Sequence, residues 1–148
     1  LDKVWASSSL PMLSRMVTVD GNKYLDGGVA DSIPIKRSIK DGNKKNVVVL
    51  TRDIIYSKAK NSFMPLLKIK YKKYPKLIKA MENRHIMYNE TLEFLKEQEK
   101  KNNVFIIRPK KEVTIGRLEK NKEKLYALYY EGYNEAKEKY NDLMEYLA

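Results

Sequence analysis

"NVVVLTR", residues 46–52, is the stretch on which the fold turns. It is short, β-branched and apolar at consecutive positions, so it reads as a strand over 47–51 buried on both faces. "VFIIRP", residues 104–109, has the same character, and Pro109 marks its end because proline has no N–H to give to a ladder. Between the two, Ile78, Met81, His85, Tyr88, Leu92 and Leu95 recur at steps of three and four, which predicts a helix from Pro75 to about residue 100. Strand, helix and strand in that order argue an α/β fold layered as helix, sheet and helix.

Outward toward the start, "MVTVDGNKYL" (16–25) alternates apolar and polar positions around Asp20-Gly21, a dipeptide that tolerates the positive φ of a tight turn. A β-hairpin is expected there. It leads into Asp26-Gly27-Gly28, where two glycines permit backbone conformations closed to other residues and a close approach of the chain. Outward toward the end, Asn121 is a candidate helix cap. One long helix is expected to follow through Leu125, Tyr129, Tyr133, Ala136, Tyr140, Leu143 and Leu147. Gly132 inside it suggests close packing against a neighbour, since a helical glycine otherwise costs about 1 kcal/mol. Residues 57–76 give no clear pattern.

A hairpin and two central strands make a thin sheet beside two long helices, because sheets usually have about four to six strands. The chain also opens Leu-Asp-Lys-Val-Trp, without an initiator methionine. Residues 1–148 are therefore expected to be one part of a domain whose remaining strands lie outside them. Open strand edges invite self-association with a second copy.

The chain has 148 residues and a net charge of +11. Such charge attracts polyanions, but lysine, asparagine, isoleucine and tyrosine are abundant together, as AT-rich codon usage produces, and no nucleic-acid motif is present. No nucleic-acid partner is expected. The absence of cysteine excludes disulfides and thiolate metal sites and leans toward a reducing compartment, the cytoplasm. No apolar run approaches the roughly 20 residues that span a bilayer.

Asp26 is the first candidate for chemistry: a carboxylate at a strand exit, beside flexible glycines, suits a general base or a group that orients one. Taken alone, Asp-Gly-Gly is an ordinary turn. His85, the sole histidine, lies on the apolar helical stripe, which favours a packing role with one satisfied nitrogen. One histidine and no cysteine leave little for a metal. Ser7, Ser8 and Ser9 in "ASSSLP" (6–11) lack the flanking glycines of a nucleophile elbow, and no phosphate-binding or dinucleotide motif calls for a cofactor. Lys68, Lys70, Lys72, Lys73, Lys76 and Lys79 alternate with Leu66, Leu67, Ile69, Tyr71 and Tyr74. That run offers peripheral contact with an anionic membrane, but it forms no single amphipathic stripe, so a solvated face is the plainer expectation.

The order "ASSSLP", "VDGNKYLDGGVADSIPI" (19–35) and "NVVVLTR" closely resembles the C-terminal portion of bacterial patatin-like phospholipases. "YPKLIKAMENRHIMYNETLEFL" (74–95), "VFIIRP" and "RLEKNKEKLYALYYEGYNEA" (117–136) look like later parts of the same family. The resemblance implies a serine hydrolase that cleaves fatty acyl esters of lipids through a Ser-Asp dyad, with Asp26 as the acid. It further implies that Gly27 and Gly28 let the backbone pass close to the serine loop, and that Asp31 and Pro34 shape the segment. Arg84, Tyr88 and Asn89 match the family's helix pattern with no role attached. The family's Gly-x-Ser-x-Gly and its glycine-rich oxyanion loop are not in this sequence, so these residues alone are expected to be inactive. The competing reading is a noncatalytic basic module that docks on anionic membrane or on another protein.

Overall fold

The computed structural model describes residues 1–116 and 118–148. Arg117, which opens one of the stretches carrying the resemblance, lies outside them. Among the described residues the fold is mixed α/β, with six α-helices, four strands in two two-stranded sheets, and one 3-10 turn. The chain divides into two compact units, Leu1–Pro34 with Lys58–Leu92, and Ile35–Ser57 with Glu93–Ala148.

In the first unit, α1 (Asp2–Ser7) precedes a hairpin of β1 (Val17–Val19) and β2 (Asn22–Tyr24). The pair is antiparallel with Val17 opposite Tyr24. Asp20 and Gly21 both take positive φ, 49° and 77°, as a two-residue turn matched to strand twist requires. The 3-10 turn Gly27–Val29 follows directly. The run that sequence pattern left open folds as α3 (Met64–Lys70), whose Met64 and Leu67 turn inward with Tyr71 just beyond. These three pack with Val29 and with Met81 of α4 (Pro75–Lys100), so one apolar core holds the segment after Asp26 against two helices. The expected span of α4 is the observed one, and α4 contributes its later residues to the second unit.

In the second unit, β3 (Asn46–Val49) and β4 (Val104–Ile107) pair in parallel, with Val47 opposite Phe105 and Val49 opposite Ile107. Parallel strands need a long crossover, and residues 50–103 provide it. Alternation sorts the sheet into two faces. Asn46, Val104 and Ile106 are buried on one, whereas Val47 and Val49 on the other are 41% and 68% exposed. The expectation of a strand buried on both faces and sandwiched between helices is thus corrected: the face bearing Phe105 is covered only in part, where Tyr146 packs on that ring at 5.6 Å. α2 (Ile35–Lys40) lies beside β3, and its Ser38 hydroxyl donates to Asn46 Oδ1 at 2.6 Å.

The single long C-terminal helix is also corrected. α5 (Lys122–Glu138) and α6 (Tyr140–Leu147) are separated at Lys139, whose φ of −87° and ψ of 2° leave the helical region. Lys139 Nζ donates to the Ile106 carbonyl at 2.9 Å, and the Tyr146 hydroxyl accepts from the Asn46 N–H and donates to the Asn103 carbonyl, both at 2.9 Å. Those bonds attach the residue at the break and α6 to the sheet and the turn before β4. Asn121 caps α5 as expected, accepting from Lys124 N–H at 3.1 Å. Gly132 has open space where a Cβ would stand, so no neighbour requires a glycine there. Lys110 pairs with Glu138, and that hydrogen bond, followed by the opposite charge, holds its ammonium above the ordinary lysine pKa.

Candidate functional site: the Asp26 turn

Asp26 follows β2 and stands at the head of the 3-10 turn, half-buried. Its Oδ1 accepts from the Gly28 N–H at 2.7 Å, a charge-assisted bond that satisfies one of the orphan donors at the turn's start. Its own N–H donates to the Ser9 carbonyl at 2.9 Å. Among the described residues no hydrogen-bond donor meets its second oxygen, Oδ2. The carboxylate is therefore held at one oxygen and, among the described residues, without a hydrogen-bond partner at the other.

Gly27 and Gly28 do not supply left-handed backbone: neither has a positive φ. A Cβ on Gly27 would meet nothing, whereas one on Gly28 would lie 3.1 Å from Asp26 Oδ1 and 3.6 Å from an Arg84 guanidinium nitrogen. Only Gly28 owes its identity to crowding, and the expectation of special conformation at both positions gives way to close approach at one.

The serines of "ASSSLP" come to the site through backbone, not through a nucleophile. The Ser7 hydroxyl donates to Val4 O at 3.0 Å, Ser8 to Trp5 O at 3.0 Å, and Ser9 to Trp5 O at 2.9 Å. Ser9 is buried, and its carbonyl anchors Asp26. Among the described residues no serine hydroxyl is bonded to the Asp26 carboxylate. Asp31 is exposed and accepts from Ile33 N–H at 3.3 Å, and Pro34 directly precedes α2, so both shape the segment.

Arg84, Tyr88 and Asn89 now have physical roles. Arg84 Nε donates to the Gly28 carbonyl at 2.7 Å and reaches Ser32 Oγ at 3.3 Å, while the Ser32 hydroxyl also donates to the Gly28 carbonyl at 2.7 Å. One carbonyl thus takes two donors, and the turn behind Asp26 is locked to α4. Asn89 pairs twice with the backbone of Lys58, accepting its N–H at 2.8 Å and donating to its carbonyl at 3.2 Å. Tyr88 lies under Lys58 Nζ, 5.0 Å from ring centroid to nitrogen. Sequence reasoning missed Ser32, which no motif marks. His85 is half-buried, and its Nδ1 is enclosed without a hydrogen-bond partner among the described residues, so the expected satisfied nitrogen is not that one. Among the described residues no cluster of three metal-ligating side chains occurs. No helix there is long and apolar enough to cross a membrane.

A family model described as Patatin-like phospholipase matches residues 1–39, and one described as Domain of unknown function (DUF6363) matches residues 74–148. The likeness to patatin-like phospholipases therefore covers the Asp26 turn and the "ASSSLP" segment; the stretches at 74–95, 104–109 and 117–136 fall in the second family. The chain is 44% identical over 52 residues to the Uncharacterized protein YjjU of Escherichia coli (strain K12). That alignment takes in 34% of this chain and only 15% of the length of that relative. No solved structure matches.

Proposed function

We propose, on the premise that this chain belongs to the family defined by the Domain of unknown function (DUF6363) and bears a patatin-like segment ahead of it, that it is part of a serine hydrolase of lipid acyl esters. Asp26 is its general base. A serine hydroxyl is a weak nucleophile until a partner takes its proton, and a fixed carboxylate within about 2.6 to 3.2 Å does this without histidine. The observation that carries the reading is the asymmetry of the Asp26 carboxylate: Oδ1 held by Gly28 N–H at 2.7 Å and Oδ2 left open.

The serine, and the donors that stabilise the tetrahedral oxyanion, come from polypeptide beyond these residues, since the sequence here holds no Gly-x-Ser-x-Gly. In the acylation step the serine Oγ attacks the ester carbonyl carbon, its proton passes to Asp26 Oδ2, and the alcohol leaves with that proton. In deacylation water gives a proton to the same carboxylate as its oxygen attacks the acyl-serine carbonyl carbon; the bond to the serine Oγ then breaks, the fatty acid leaves, and the serine takes that proton back from Asp26. The substrate is a fatty acyl ester of a lipid, and the place of work is the cytoplasm or the membrane surface facing it.

The test is kinetic. The longer protein that contains this chain should hydrolyse a short-chain p-nitrophenyl ester, and Asp26→Asn should lower kcat about 10³-fold. The 148-residue chain alone should show no turnover. Full activity in the Asp26→Asn protein contradicts the proposal.

A further inference from the structure

From residue 54 to residue 81 the chain carries eight lysines and no acid. A run of this kind is ordinarily wet surface, and sequence pattern could not sort its apolar residues. The fold does so. Helix α3 sends Met64 and Leu67 inward, with Tyr71 after them, and leaves Leu66 48% and Ile69 72% exposed on its opposite side, with Phe63 at its head 68% exposed. At about 100° per residue, Leu66 and Ile69 oppose the inward pair and Phe63 flanks them. Three large apolar side chains therefore project from a short helix into solvent, and Lys70, Lys72, Lys73 and Lys76 stand exposed around and just beyond it.

We infer that this outer face of α3 docks the protein on an anionic phospholipid bilayer. The chemistry of the patch selects that occupant. Apolar anchors ringed by cations fit the boundary between acyl chains and headgroups, where Phe, Leu and Ile enter hydrocarbon while lysine ammoniums stay with the phosphates. Glu82 of α4 is engaged by Lys68 at 2.6 Å, and among the described residues Lys70, Lys72, Lys73 and Lys76 form no ion pair with a carboxylate. A second copy of the same face would set like charges together, and a nucleic acid would leave the three apolar anchors without a partner. The inference is independent of Asp26 chemistry, although Val29, three residues after Asp26, shares its core with Met64 and Leu67 and so ties the turn to the docking helix.

The test is co-sedimentation of the 148-residue chain with vesicles of phosphatidylcholine, with and without phosphatidylglycerol. Binding is expected only to the mixed vesicles and should weaken as salt rises. Leu66→Ser with Ile69→Ser should lower affinity at least about tenfold, and Lys72→Gln or Lys73→Gln about fivefold each. Tyr129→Ser with Tyr133→Ser, on the exposed aromatic side of α5, should change nothing. A direct reporter guards against a variant that merely misfolds: with Trp5→Phe removing the native indole, Ile69→Trp should shift its emission to the blue on anionic vesicles only. The inference is overturned by absent or charge-indifferent vesicle binding, by an unshifted indole, or by binding lost through the α5 tyrosines instead. Salt-sensitive binding of a single-stranded oligonucleotide, or a dimer in solution, that depends on Leu66 and Ile69 while vesicles are ignored overturns it as well.

Discussion

Because Asp26 both caps a turn and leaves Oδ2 open, removing its oxygen atoms and removing its charge are separable experiments. Asparagine at this position still offers Oδ1 to the Gly28 N–H, and Asp and Asn are equivalent as caps. Asp26→Ala, by contrast, loses the acceptor and should cost about 1 kcal/mol in urea denaturation of the 148-residue chain, with Asp26→Asn within about 0.5 kcal/mol of the parent. Equal loss in the two variants would show that the carboxylate is held by something other than that bond. At this scale the sequence was legible at Asp26 and silent at Ser32. Asp-Gly-Gly is a local pattern, while the Ser32 hydroxyl and Arg84, 52 positions apart in the chain, meet at one carbonyl only in the folded protein.

Elements show the same division between local and distant causes. The hairpin at Asp20-Gly21, the α4 stripe and the Asn121 cap are governed by neighbours in the chain, and each is observed where its pattern places it. The break at Lys139 is not local. Heptad-like apolar spacing continues through it, and the break coincides with the attachment of Lys139 and Tyr146 to strands roughly 30 to 100 residues earlier. Gly132 is a further case, since a helical glycine reads as a packing contact until the space around it is seen. With nothing within 4 Å of the place an alanine methyl would occupy, Gly132→Ala should stabilise the chain by about 1 kcal/mol, read as a raised thermal midpoint. A lowered midpoint would mean that a neighbour presses on that site.

For the whole molecule the informative contact is the one that joins its two family segments. Arg84 lies in the stretch matched by the domain of unknown function, and the Gly28 carbonyl it holds lies in the patatin-like stretch. The later segment thereby fixes the turn that carries the candidate base. Arg84→Ala removes a cationic donor from a part-buried carbonyl and should cost about 2 kcal/mol, measured by urea denaturation; a change below about 0.5 kcal/mol would place the clamp outside the forces that hold the turn. No periodicity announces this coupling, because it depends on two segments far apart in the chain. The charge of +11 is legible at once, but its meaning at α3 depends on which apolar residues the core takes and which it leaves outside.

General-base catalysis by Asp26 is tested by the distance from its Oδ2 to the nearest serine Oγ in a crystal structure of the longer protein. Asp26 as general base predicts a separation of about 2.6 to 3.2 Å, with that serine on a strand-to-helix turn. A carboxylate whose second oxygen is instead occupied by a backbone amide or a lysine, with every serine hydroxyl beyond reach, would contradict it.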